Sequence, residues 1–230
     1  MTELCSYRLN LYGKAVGTHT LRTQGGKGGV VLEARTALQG PLGQQTVTQT
    51  SQLNAALESV RFTEETQARS ETRTLDITFD SARGVVRLTQ SRSNSKNDSK
   101  NDIAEAPYLL PYRDPLGLLH ALRERPERLR APMLGKEVVA ERLSEVPLET
   151  ALGERRAHPY VLHPGPCYVY VDAAPPHLIL RLTQRFEGGL LDAFLMKVVQ
   201  EDAPTQEESR PSKRSRRRRR RRGRRGGDKN

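Results

Sequence analysis

The chain has 230 residues, a formal net charge of +11, two cysteines, no tryptophan and 5% aromatic residues. Two cysteines are too few for a disulfide framework, and no apolar run reaches the roughly 18 residues that a membrane-crossing helix needs. The charge is uneven. Residues 201–230 hold thirteen Lys or Arg against five acids, a net +8, while the rest hold 25 against 22, a net +3.

A near-neutral body of about 200 residues is long enough to bury one core, and with few aromatics its packing must be aliphatic. The opening Met1-Thr2-Glu3-Leu4-Cys5 has neither a basic nor an apolar leader region. That predicts no export signal, a cytoplasmic location and reduced thiols.

In chain order, Tyr7, Leu9 and Leu11 alternate with Arg8 and Asn10, and Gly13-Lys14 offers a two-residue turn that would pair Leu11 with Val16 and Leu9 with Thr18. Consecutive glycines around Lys27 mark a hairpin tip before the strand-like 30–34. Strands are expected, less strongly, over 46–53 and 57–66.

The clearest hairpin covers 74–90. A loop Ser81-Ala82-Arg83-Gly84 sets Phe79 opposite Val86 and Ile77 opposite Leu88, so the two apolar faces coincide. The stretch after it is polar and of low complexity, and a flexible loop is expected over about 92–106. Asp114 then reads as an N-cap, Pro115 as the first helical residue, and Leu116, Leu118, Leu119 and Leu122 as the buried stripe of a helix over about 115–124. Pro126 stops it. Further strands are expected over 134–143, 160–162, 167–172, 178–184 and 190–199.

Candidate chemistry is sparse. His158, His163, Cys167 and His177 invite a metal reading, but a turn at Ala173-Ala174-Pro175-Pro176 would put Cys167 opposite Leu182 on an apolar face and Tyr168 opposite Arg181 on the other. His158 and His163, five apart, would point to opposite faces of one strand. The glycines around Lys27 lack the order of a phosphate loop. Glu64-Glu65 read as solvated, and no nucleophile elbow is present. No catalytic residue, metal ligand or cofactor is therefore assigned.

Arg123, Arg125, Arg128 and Arg130 form a basic cluster offset by Glu124 and Glu127. The strongest electrostatic signal is the C-terminal segment. Its candidate anion-binding residues are Arg214, Arg216, Arg217, Arg218, Arg219, Arg220, Arg221, Arg222, Arg224 and Arg225. One-signed block charge predicts disorder and affinity for polyanions by counterion release. With no aromatic among them, these residues would grip phosphates without reading sequence. Anionic lipid is the other polyanion such a run attracts.

Three stretches resemble the bacterial family called domain of unknown function 3108: Tyr7-Arg8-Leu9-Asn10-Leu11-Tyr12-Gly13 with Val16-Gly17; Asp114-Pro115-Leu116-Gly117-Leu118-Leu119-His120-Ala121-Leu122-Arg123; and Asp172, Pro176 and 178–182. The resemblance spans about 5–199 and implies a curved antiparallel sheet or incomplete barrel with the helix packed against it. Members of that family usually carry an export signal and are thought of as envelope proteins. This chain departs from them at its opening and in its arginine tail.

The expectation is thus a mainly β domain over 1–200 and a disordered Arg-rich tail over 201–230. A non-catalytic protein tethered to RNA, DNA or a ribonucleoprotein is expected. The alternative is a carrier or envelope-associated protein holding an apolar or lipidic ligand, its tail on an anionic membrane.

Overall fold

The computed structural model describes residues 2–69, 71–94, 99–108, 112–133, 136–165, 167–186 and 189–201. Those residues form one antiparallel sheet. Its N-terminal half is an unbroken meander of β1 (Thr2–Leu11), β2 (Lys14–Gly26), β3 (Gly29–Leu38), β4 (Gln45–Leu53), β5 (Ser59–Ala68), β6 (Glu71–Asp80), β7 (Val85–Asn94) and β8 (Ser99–Pro107). After the helix α1 (Pro115–Leu122) come β9 (Arg128–Met133), β10 (Lys136–Arg142), β11 (Val146–Thr150), β12 (Gly153–His163), β13 (Cys167–Asp172), β14 (Ile179–Phe186) and β15 (Gly189–Glu201).

The two halves meet where the first strand pairs with the last. β1 and β15 run antiparallel from Thr2 opposite Glu201 to Leu11 opposite Leu191. The strand order therefore runs from β8 through β1 and β15 to β9, with β11 beside β12, and the sheet stays open rather than closing into a barrel.

Alternation of side chains explains where the core lies. Cys5, Tyr7, Leu9 and Leu11 are buried and Arg8 between them is exposed, as a strand with one covered face requires. Leu21, Leu32, Ala34, Phe62, Ile77, Val169, Val171, Ala193 and Leu195 continue the same buried face around the sheet. Leu116, Leu118 and Leu122 of α1 cover it, packing on β3, β4 and β9. Each side chain removed from water there contributes about 1.5–3 kcal/mol.

The start of α1 is fixed as the sequence predicts. Asp114 caps it by accepting from the Gly117 amide at 2.9 Å, and Pro115 occupies the first turn. The cap reaches further. The other oxygen of this fully buried carboxylate accepts from Ser51 Oγ at 2.7 Å and Ser59 Oγ at 2.6 Å, pinning the helix to β4 and β5. Gly117 fits closely there: a Cβ would come within 3.1 Å of Leu53 Cδ2 and Ser59 Oγ, so those side chains would have to give by a few tenths of an ångström.

Registers confirm some expectations and correct others. Phe79 lies opposite Val86 and Ile77 opposite Leu88. The first hairpin instead turns one residue earlier, at Tyr12-Gly13, both with positive φ, and pairs Leu11 with Lys14. A bulge then skips a residue so that Val16 still points into the core.

Cys167 lies opposite Gln184, and Val169 opposite Leu182, two residues from the expected partners. The shift is even, so the apolar face of β13 is kept. The loop expected over about 92–106 is replaced by the end of β7 and by β8, with 95–98 outside the described residues. Ladder pairing to a neighbour outweighs polar composition there, and a polar edge strand resists further pairing.

Candidate functional site

The ten candidate anion-binding arginines, Arg214 to Arg225, lie outside the described residues. Their root is described. β15 ends at Glu201 paired with Thr2 of β1, while its ladder with β14 covers residues 189–194. The basic segment therefore follows a strand end held on one side, by β1. At the root, Arg22 lies 3.7 Å from Glu201 and 3.6 Å from Glu33, both exposed ion pairs that contribute at most about 1 kcal/mol.

Three arginines of the second basic cluster are paired with acids. Arg123 binds Glu3 with both terminal nitrogens, at 2.6 and 3.1 Å. Arg128 meets Glu141 at 3.2 Å and Arg130 meets Glu137 at 2.9 Å across the β9–β10 ladder. Arg125 donates to the Ala173 carbonyl at 3.3 Å. Sequence spacing brings these arginines together, and acids pair with three of the four, Arg123, Arg128 and Arg130.

A pocket of about 410 Å³ opens at the C-terminal end of α1, lined by Glu3, Thr23, His120, Arg123, His177 and Gln200 among others. Arg123 is its hub. Besides Glu3 it donates to the carbonyls of His177 (3.1 Å) and Pro176 (3.0 Å), joining helix, first strand and the β13–β14 turn. Burial, and then the adjoining Arg123, depresses the His120 imidazole; its Nδ1 is buried without a partner among the described residues.

Burial, reinforced by Glu3, pushes the Cys5 thiol up to about 12. A thiol so protonated is no nucleophile. Through the bonds of Arg123 the pocket is organised as a structural tie between α1, β1 and the β13–β14 turn.

The histidines and cysteines singled out in the sequence are not gathered. His158 faces inward opposite Val171, near Glu145 at 3.7 Å, while His163 is exposed on the other face. His177 bonds through Nδ1 to the Asp172 carbonyl at 3.1 Å. Both cysteines are free, and burial raises the Cys167 thiol as well. Among the described residues, no three His, Cys, Asp or Glu converge as a metal site would need.

Sequence reasoning missed one arrangement. On the outer face the Arg181 guanidinium lies 4.9 Å from the Phe194 ring centre and 5.6 Å from that of Tyr170, and it pairs with Asp192 at 2.7 Å. Reading β13 and β14 alone had matched Arg181 with Tyr168; a longer turn and a bulge together move it to Tyr170, and Phe194 comes from β15. The available signal was the alternation Asp192, Phe194 in the last strand, on the face opposite Ala193 and Leu195.

No family model and no curated protein matches the chain. Among solved structures it is similar to a β-barrel-like protein of domain of unknown function 1849 from Brucella abortus, with TM-score 0.55 and 12% identity over 87% of this chain and 98% of that one. At that identity the likeness shows the fold: a barrel-like antiparallel β protein, here left open and carrying one helix on its covered face.

Proposed function

We propose that the protein is a non-catalytic binding protein whose C-terminal arginines hold it, without sequence preference, to RNA, DNA or a ribonucleoprotein. The observation that carries this reading is the contrast between the two basic regions. Arg123, Arg128 and Arg130 of the body are each closed on a carboxylate, whereas residues 210–225 contain no acid at all. Only charge without a built-in partner releases counterions from a polyanion.

The β1–β15 ladder, which runs to Thr2 opposite Glu201, supports a tether that transmits this attachment to the whole domain. The carrier alternative has less support, because core side chains and α1 fill the covered face where a lipid would sit. Within barrel-like β proteins, the Asp114-Pro115 helix start and the Tyr7 to Gly17 hairpin support a likeness to domain of unknown function 3108. A cytoplasmic setting, where nucleic acid is plentiful, belongs to the same reading.

Filter binding to duplex DNA at two salt concentrations tests the proposal, comparing the native chain with one carrying serine at residues 216–222. About ten phosphate contacts predict a slope of log affinity against log salt of about −9. The serine chain should lose most of it. Equal affinity of the two chains would remove the arginines from the mechanism.

A further inference from the structure

The outer face of the strands that lead into the basic segment has a composition of its own. In the β1–β15 ladder Arg8 lies opposite Phe194, and Asn10 opposite Asp192; in the β14–β15 ladder Arg181 lies opposite Phe194, and Arg185 opposite Leu190. Tyr170 lies opposite Arg181 on β13, with Tyr168 two residues along on the same face. Lys197, opposite Ser6, extends this face towards the root of the tail.

Flat groups from four adjacent strands thus stand in one row: Arg8, Phe194, Arg181, Tyr170. Arg8, Arg185 and Lys197 are exposed and have no ion-pair partner among the described residues. Asp192 is already committed to Arg181 and to the Thr183 hydroxyl, at 2.7 and 2.6 Å. The β11–β12 hairpin walls the row on one side, leaving a groove of about 320 Å³ bounded by Arg8, Phe194, Met196, Leu148 and Ala151. Glu149 stands on the hairpin rim of the same groove.

Resting on the polyanion reading above, we propose that this outer face is a second contact for the same partner and that it selects single-stranded nucleic acid. Bases stack at Phe194 and Tyr170, while phosphates meet Arg8, Arg185 and Lys197. Glu149 repels phosphate and so steers the backbone to the Arg8 side. Three observations favour this occupant. The free charges are cations, which complements phosphate. The rings sit between them, the combination by which strand-binding surfaces hold unpaired bases. The face also runs along β15 directly into the basic segment: Glu201 is seven residues beyond Phe194, about 23 Å along a strand. Arg216 is fifteen residues beyond Glu201, an upper reach of about 50 Å, enough for both contacts to engage one strand of nucleic acid.

The two contacts make opposite demands. Arginines alone favour a duplex, since each neutralised phosphate releases more counterion there, about 0.9 against 0.7 per contact. Only base contact reverses that order. The test is fluorescence anisotropy of labelled 20-nucleotide oligouridylate, oligothymidylate and a duplex of equal length. It uses the full chain, Phe194→Leu, Arg8→Ala and the chain with serine at 216–222, each checked by circular dichroism.

The full chain should bind the single strands at least as tightly as the duplex. Phe194→Leu should weaken single-strand binding about tenfold and leave duplex binding unchanged, as loss of one stacked base predicts. Arg8→Ala, at an exposed position, should act in the same direction and serves if Phe194→Leu fails to fold. Duplex preference in the full chain, with both variants unaltered, overturns the outer-face proposal and leaves the arginine tether standing. Undiminished duplex binding by the serine chain overturns the tether instead, while a single-strand preference surviving there still supports the outer face. A difference between the uridylate and thymidylate arms assigns the strand to RNA or DNA.

Discussion

Arg123 closes on Glu3 through a two-pronged ion pair, 2.6 and 3.1 Å, that joins the end of α1 to a strand 120 residues earlier. Both side chains are nearly out of water, 13% and 11% exposed. Removing one partner strands the other charge, which costs about 3–5 kcal/mol. Arg123→Ala should therefore destabilise the domain by about that amount in urea unfolding. A change below about 1 kcal/mol would show that solvent reaches the pair and that the tie is weak.

Asp114 does more than cap a helix. Losing a cap alone costs about 1 kcal/mol, but Asp114→Ala also leaves the buried hydroxyls of Ser51 and Ser59 without their acceptor, at about 1–3 kcal/mol each when unsatisfied. The expected loss exceeds 2 kcal/mol, and Ser51→Ala should cost clearly less. Equal losses would reduce the carboxylate to its capping role.

Gly117→Ala separates propensity from packing. Alanine is the better helix former by about 1 kcal/mol, so an isolated helix would gain. Here the new methyl meets Leu53, Ser59 and Asp114 at 3.1–3.2 Å, and overpacking of that kind costs about 1–3 kcal/mol. We expect net destabilisation in chemical denaturation; a gain in stability would mean that β4 and β5 yield readily.

His19 sets part of the acid limit. Burial pushes its imidazole down to about 4. Nδ1 is bonded to Thr36 Oγ1 at 2.8 Å, and Nε2 is buried without a partner among the described residues. Because the folded state disfavours the imidazolium, the unfolded chain binds this proton more tightly. The contribution is complete above the ordinary value of 6.5 and is lost as pH falls from there through about 4. Unfolding free energy measured across that range should decline, and His19→Gln should flatten the decline.

Cys5 gives the opposite limb. With its thiol held up at about 12 against an ordinary 9.0, the favourable neutral form is complete below pH 9 and is lost as pH rises towards 12. At pH 8 a thiol reagent should label Cys5 only after unfolding. Labelling of the native chain at the rate of a free thiol would contradict the burial that raises it.

Some of this was legible in the sequence, and the reason is locality. The β6–β7 register could be read because Gly84 closes a short turn and two apolar faces coincide only one way. Asp114 and Pro115 marked the helix start through backbone demands within four residues. The strand over 167–172 matches β13. The Cys167 register was missed by two because a bulge and a longer turn intervene before Arg181. β9 and β11 were missed outright: their residues look like loop until β10 and β12 offer ladders to pair with.

Chain order alone, through alternation, turn residues and a block of like charge, determined the β class, the start of α1 and the division between near-neutral body and cationic end. Tertiary structure decided that the first strand pairs with the last, that Arg123 closes on the distant Glu3, and that Phe194, Arg181 and Tyr170 share one face. Those outcomes depend on pairings between residues far apart in sequence, whose contact energy local pattern does not encode.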